Sequence, residues 1–158
     1  MTSTTHTDAP SALATTSEIA AGVAQFLTPV VHDLEALVVD GKQAHWHVRG
    51  SAFAGVHETL DQLVAHAQDY ADTAAERIVA LGLPLDSRLA TVAAKSTLPA
   101  LSDGFQPWQT TVAQTVAQID AALVTIRTAI TGRSTPSCSE HRSADSASGS
   151  MGTTRSGK

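Results

Sequence analysis

Residues 53–84 read FAGVHETLDQLVAHAQDYADTAAERIVALGLP, and this stretch decides the fold. Val56, Leu60, Leu63, Val64, Ala67, Ala71, Ala74, Ile78 and Leu81 recur at helical spacing, and Gly82-Leu83-Pro84 supplies a Gly-then-Pro stop. His57, Asp61, Asp72 and Glu76 lie off that stripe. At about 100° per residue their offsets place all four within an arc of about 100° on one helix face. Carboxylates on a long helix ordinarily make a solvated face, but four metal-ligand side chains in one line point to metal chemistry.

Working outward, the chain before this stretch is a second long helix. Ser17-Glu18 suits a helix start, and Ile19, Val23, Phe26, Leu27, Val30, Leu34, Leu37 and Val38 follow at helical spacing. Pro29 inside the run predicts a kink or a late start. The helix should end near Trp46, before Arg49-Gly50-Ser51. Beyond Pro84, residues 83–101 read as a connection with one helical turn near Leu89–Ala94. A third long helix is expected to start between Ser102 and Pro107. It carries Trp108 (a packing residue), Val112, Val116, Ile119, Leu123, Ile126 and Ile130, and stops at Gly132. No segment alternates long enough to make a strand, so the fold class is all-α. Residues 1–16 read as a flexible arm, 17–132 as the folded domain, and the Ser-rich segment 133–158 as a disordered tail.

Length and composition exclude much else. A chain of 158 residues holds one ordinary domain, and with only 4% aromatics its core must come from Ala, Val, Leu and Ile. No apolar run approaches the roughly 20 uninterrupted residues of a membrane span, and Met1–Pro10 lacks signal-peptide order. The single cysteine, Cys138, allows no internal disulfide, which fits a cytoplasmic protein. Net charge is −5 overall. The tail sets Arg133, Arg142, Arg155 and Lys158 against Glu140 and Asp145, so it is basic while the rest is acidic. There is no Gly-rich phosphate loop, Ser-His-Asp order or CxxC pair.

His45 precedes the break at Arg49-Gly50 and lies upstream of His57 by a distance that a helical hairpin can close. His45, His57 and Asp61 then form an imidazole-plus-carboxylate cluster suited to Fe(II), or to Zn(II) in its place. His47, two residues along the helix, points about 200° away from His45 and should not share its metal. His32 and His66 read as surface or hydrogen-bonded structural residues. Asp61 and Asp72 are separated by about 16 Å of helix rise. One metal cannot use both from a single chain, so either each chain has two sites or a symmetry mate supplies the second half. A two-fold interface pairing these helices antiparallel would join His57 and Asp61 of one chain to Asp72 and Glu76 of the other. Trp46, beside such a redox centre, is suited to donate an electron that limits radical escape; core packing is its other reading.

Lys42-Gln43-Ala44-His45-Trp46-His47-Val48-Arg49-Gly50, followed by Phe53, His57, Asp61, Asp72 and Ala75-Glu76-Arg77, resembles the Dps family of ferritin-like proteins over about residues 17–132. The resemblance implies a ferritin-like helical bundle. It implies a ferroxidase centre between subunits, with His45, His57 and Asp61 from one and Asp72 and Glu76 from its two-fold mate. It further implies hollow dodecamers that oxidise Fe(II) with hydrogen peroxide or dioxygen, store ferric mineral and protect DNA, which many members bind through basic tails. His47 stands where Asn is commoner. The family's fourth long helix, due after Gly132, is missing or frameshifted, because the sequence there loses all periodicity. Two other readings follow: a DNA-binding, nucleoid-protecting module whose weak affinity comes from the tail, and a truncated family member that does not assemble.

Overall fold

The computed structural model describes residues 12–132, and side-chain surroundings from Ser17 onward. The tail 133–158 with Cys138, and most of the expected arm, lie outside the described residues. Apolar periodicity does what the sequence asks: three long helices form, α1 (Ala12–His47), α2 (Phe53–Ala80) and, after a short α3 (Leu89–Lys95), α4 (Trp108–Gly132). Helix α1 starts ahead of Ser17 and continues through Pro29 without a break in its assignment. The single turn expected near Leu89–Ala94 is the seven-residue α3.

Helix α2 ends in a Schellman arrangement. Gly82 N–H donates to Val79 O at 2.9 Å and Leu83 N–H reaches Ile78 O at 3.4 Å, with Gly82 at φ +80°. One pairing escaped the sequence reading. Val48–Arg49 (β1) runs parallel to Gln106–Pro107 (β2), pinning the loop after α1 to the entrance of α4. Two residues are too few to carry a period-2 signal.

Helices α1 and α2 pack along most of their length, α4 packs on α1, and α2 and α4 barely touch. The core joins Val30, Leu34 and Leu37 of α1 to Ala67 and Ala71 of α2 and Ala129 of α4. Alanines on two of the three faces bring the helices close. A Cβ on Gly41 would lie 2.8 Å from Val64 Cγ2, so any larger residue there would force the α2 side chain to shift.

The face that α4 turns to α1 is largely polar. Its buried residues are Thr111, Thr115, Gln118, Ala122 and Ala129, whereas Val112, Val116 and Ile130 are exposed. Polar partners on α1 explain the orientation. Asp33, 1% exposed, accepts hydrogen bonds from Ser96 Oγ, Thr97 N, Thr97 Oγ1 and Thr125 Oγ1 at 2.7–3.0 Å. Gln118 Nε2 donates to Asp40 Oδ2 at 2.5 Å and to Pro99 O at 2.9 Å. The valines therefore face an open apolar groove of about 280 Å³ between α4 and α2, lined by Val56, Leu60, Leu63, Val112, Val116 and Ile119. Over Ser17–His47, α1 is long and apolar enough to cross a membrane by length and composition. It nonetheless carries Asp33 and Asp40, both engaged within the bundle.

Candidate metal centre

The reversal between α1 and α2 positions the site. Phe53 N–H donates to Gly50 O and Val56 N–H to Ala52 O, both at 3.1 Å, so α2 begins almost where α1 stops. Gly50 takes φ +112°, and a Cβ there would meet Trp108 Cδ1 at 3.0 Å. A side chain at this corner would thus be strained and crowded.

This turn folds His57 back onto His45. The two rings stack with centroids 3.4 Å apart and planes 25° from parallel. Each ring's Nδ1 lies 3.0 Å from the other residue's backbone carbonyl oxygen. A carbonyl only accepts, so each Nδ1 carries the proton of its bond and Nε2 is the ring nitrogen left to face a metal. Such outer bonds fix tautomer and ring orientation in metal-binding histidines. Asp61, one turn beyond His57, brings Oδ1 to 3.3 Å from His45 Nδ1. One ligand atom from each of His45, His57 and Asp61 lies within 4.8 Å of the other two. Two imidazoles and a carboxylate form a donor set suited to Fe(II) or Zn(II).

The electrostatics favour the carboxylate form. The Lys42 ammonium, hydrogen-bonded to Asp61 Oδ1 at 2.6 Å, holds the Asp61 carboxyl below the usual carboxylate range, with His45 and His57 adding smaller pulls. His45 is buried, His57 half-buried and Asp61 exposed, so the cluster opens at the surface. Trp46, Arg49, Gly50, Phe53 and His57 surround a shallow depression beside it. Trp46 is 60% exposed, which removes core packing within this chain as its role. Asp72 and Glu76 are also exposed on α2, and neither joins the cluster, as helix rise requires. His47 packs edge-on against Phe105 instead of joining His45. His32, 6% exposed, bonds Asp86 O through Nε2 at 2.9 Å, while His66 is exposed.

Sequence reading missed Lys42 as a partner of Asp61, although the two differ in sign and sit one turn from His45 and His57 respectively. It also missed the paired imidazole–carbonyl bonds, because backbone acceptors leave no trace in side-chain patterns.

Residues 25–132 match the family model described as a ferritin-like domain. The structure superposes on that of Dps from Microbacterium arborescens, solved in a high iron form. The TM-score is 0.70 at 63% identity, covering 73% of this chain and 75% of that one. The chain belongs to the Dps family of ferritin-like proteins. This Dps-family chain also superposes on Dps92 from Deinococcus radiodurans, with TM-score 0.70, 29% identity and 73% and 70% of the two chains covered. In sequence it is 37% identical over 81 residues to the DNA protection during starvation protein 2 of Deinococcus radiodurans, covering 51% of this chain. It is 41% identical over 63 residues to the DNA protection during starvation protein of Mycolicibacterium smegmatis, covering 40% of this chain. Each of those alignments spans 34% of the curated relative's length.

Proposed function

We propose that this chain oxidises Fe(II), its substrate, at inter-subunit two-iron sites and stores the ferric product, protecting DNA from the chemistry of free ferrous iron and peroxide. The observation that carries the reading is the stacked His45–His57 pair, whose Nδ1 atoms are both committed to carbonyls, set beside the Asp61 carboxylate. His45, His57 and Asp61 bind one iron. Asp72 and Glu76 come from the two-fold mate, whose α2 runs antiparallel, and complete the centre with oxygen donors. Reduction of one hydrogen peroxide to two waters takes two electrons and two protons, one electron from each of two Fe(II). Dioxygen is the alternative oxidant. Trp46, exposed at the mouth, is placed to give up an electron when only one iron is present. Zn(II) would fill the same donors and inhibit. The acidic remainder of the chain attracts cations, and the basic segment 133–158 makes weak, salt-sensitive DNA contacts.

The test separates shared from single-chain sites. Uniform His57→Ala and Glu76→Ala proteins should each lose fast Fe(II) oxidation, followed by ferric absorbance. Re-assembled mixtures of the two should regain part of it, because some interfaces then hold one intact centre. No regain, with both variants still self-associating, rejects the shared site.

A further inference from the structure

A cationic side chain of the chain itself stands at the cluster. Lys42 lies one turn ahead of His45 on α1, and its Nζ stands 2.6 Å from Asp61 Oδ1, the oxygen that also faces His45. The ammonium therefore sits on the one anionic ligand of the cluster. A divalent ion bound by Asp61 and both imidazoles must lie close to that same carboxylate. Two positive charges at such separations repel strongly even at the effective dielectric constant of a protein surface. Lys42 can leave at little cost. Its side chain is 38% exposed, exposed ion pairs are weak, and a flexible four-carbon stem carries the head into water. Arg49 is no rival for Asp61, since its Nη1 is bonded to the carbonyls of Trp46 and Val48.

We infer that Lys42 is a displaceable placeholder: it holds Asp61 beside the imidazoles in the metal-free protein, and a metal ion binds by exchanging with it. This rests on reading the cluster as a metal site and adds a selectivity step. A monovalent cation brings no more charge than the ammonium, and hard monovalent ions gain little from imidazole nitrogen. A divalent ion gains both ligation and charge, so it alone completes the exchange. Lys42 thereby sets the free-metal level at which the site fills.

The experiment measures Co(II) affinity calorimetrically, without oxidant, on the full chain and on Lys42→Gln, Lys42→Arg and His57→Ala. Lys42→Gln should bind about 2–5-fold more tightly at low ionic strength, the worth of an exposed pair, and the gain should shrink in high salt. Lys42→Arg should bind no more tightly than the parent. Equal or weaker binding by Lys42→Gln, with binding still abolished by His57→Ala, overturns the placeholder and leaves the metal site standing. Absence of any His57-dependent binding in the parent removes both. Should Lys42→Gln fail to fold, the parent chain decides through its lysine ammonium resonances. The Lys42 signal, assigned by its loss in Lys42→Arg, should move to the free-lysine position on saturation with Zn(II). An unmoved signal at saturation overturns the inference.

Discussion

Asp33→Ala should unfold this bundle more readily than any exposed substitution, and the structure lets the loss be apportioned. Oδ1 accepts from Ser96 Oγ at 3.0 Å and Thr97 N at 2.7 Å; Oδ2 accepts from Thr97 Oγ1 at 2.8 Å and Thr125 Oγ1 at 2.7 Å. These donors belong to the segment after α3 and to α4, so one carboxylate ties three parts of the chain together. Not all four bonds are lost equally. The hydroxyls of Thr97 and Thr125 are 3.4 Å apart and can turn to each other, and Ser96 Oγ already accepts from Leu98 N. The Thr97 amide cannot turn. Leaving that part-buried N–H without an acceptor costs about 1–3 kcal/mol, and the remaining bonds are worth about 0.5–1.5 kcal/mol each. The expected loss is therefore about 3–5 kcal/mol, a large share of the typical total of about 5–15 kcal/mol. Asp33→Asn is the informative companion. Its carbonyl keeps the Thr97 amide, its NH₂ faces hydroxyls that can reverse to accept, and the loss should be about 1–2 kcal/mol. Urea unfolding followed by circular dichroism measures both. A loss below about 1 kcal/mol for Asp33→Ala would refute the apportioning, as would an Asn variant no better than the Ala one.

Two glycines should respond to alanine for opposite reasons. At Gly82, φ +80° with nothing within 4 Å of a Cβ leaves only conformational strain, about 1 kcal/mol. Gly41→Ala instead drives a methyl to 2.8 Å from Val64 Cγ2 and should cost about 1–3 kcal/mol, recovered in part by adding Val64→Ala; the same urea midpoints report both. The open groove predicts self-association of the chain into heterogeneous particles by light scattering. Val112→Ser with Val116→Ser should reduce it, and an amphipathic helix appended to fill the groove should give the discrete dodecamer that the family resemblance implies; a monodisperse dodecamer from the chain alone would refute this.

The long helices were legible because α2 repeats its apolar residues from Val56 to Leu81 without interruption and stops at a Gly-Leu-Pro signal that the structure uses as written. The cluster of His45, His57 and Asp61 was legible for a similar reason, since a loop of fixed length between two helices leaves few ways to place His57. What periodicity could not tell is which neighbour a stripe faces. Val112 and Val116 belong to the apolar stripe of α4 and, with no fourth long helix against them among the described residues, are 39% and 49% exposed, while Gln118 is 1% exposed. The deciding residues are Asp33 and Asp40, seven positions apart on α1 and so on one side of it, where they select the hydroxyl and amide face of α4. Each looks in sequence like an ordinary solvated carboxylate. Burial is incompletely repaid there, for Gln118 Oε1 and Thr115 Oγ1 are buried without a hydrogen-bond partner among the described residues.

The two unfinished surfaces of α2 are separate. Taking Asp61 as the origin and about 100° per residue, His57, Asp72 and Glu76 span a sector centred near Asp61, while Val56 and Leu63 of the groove fall roughly on the opposite side and Leu60 lies between. The proposed two-fold mate, completing the carboxylate set, would therefore approach α2 from a different side than a partner filling the groove. Pairing at the metal ligands and closing the apolar groove are independent events with different partners. Metal-linked pairing should persist when the groove valines are changed to serine. Filling the groove should in turn leave Fe(II) oxidation dependent on His57 and Glu76. This division follows from the register of α2 alone, and it lets one helix carry both the proposed inter-chain site and a face left open among the described residues.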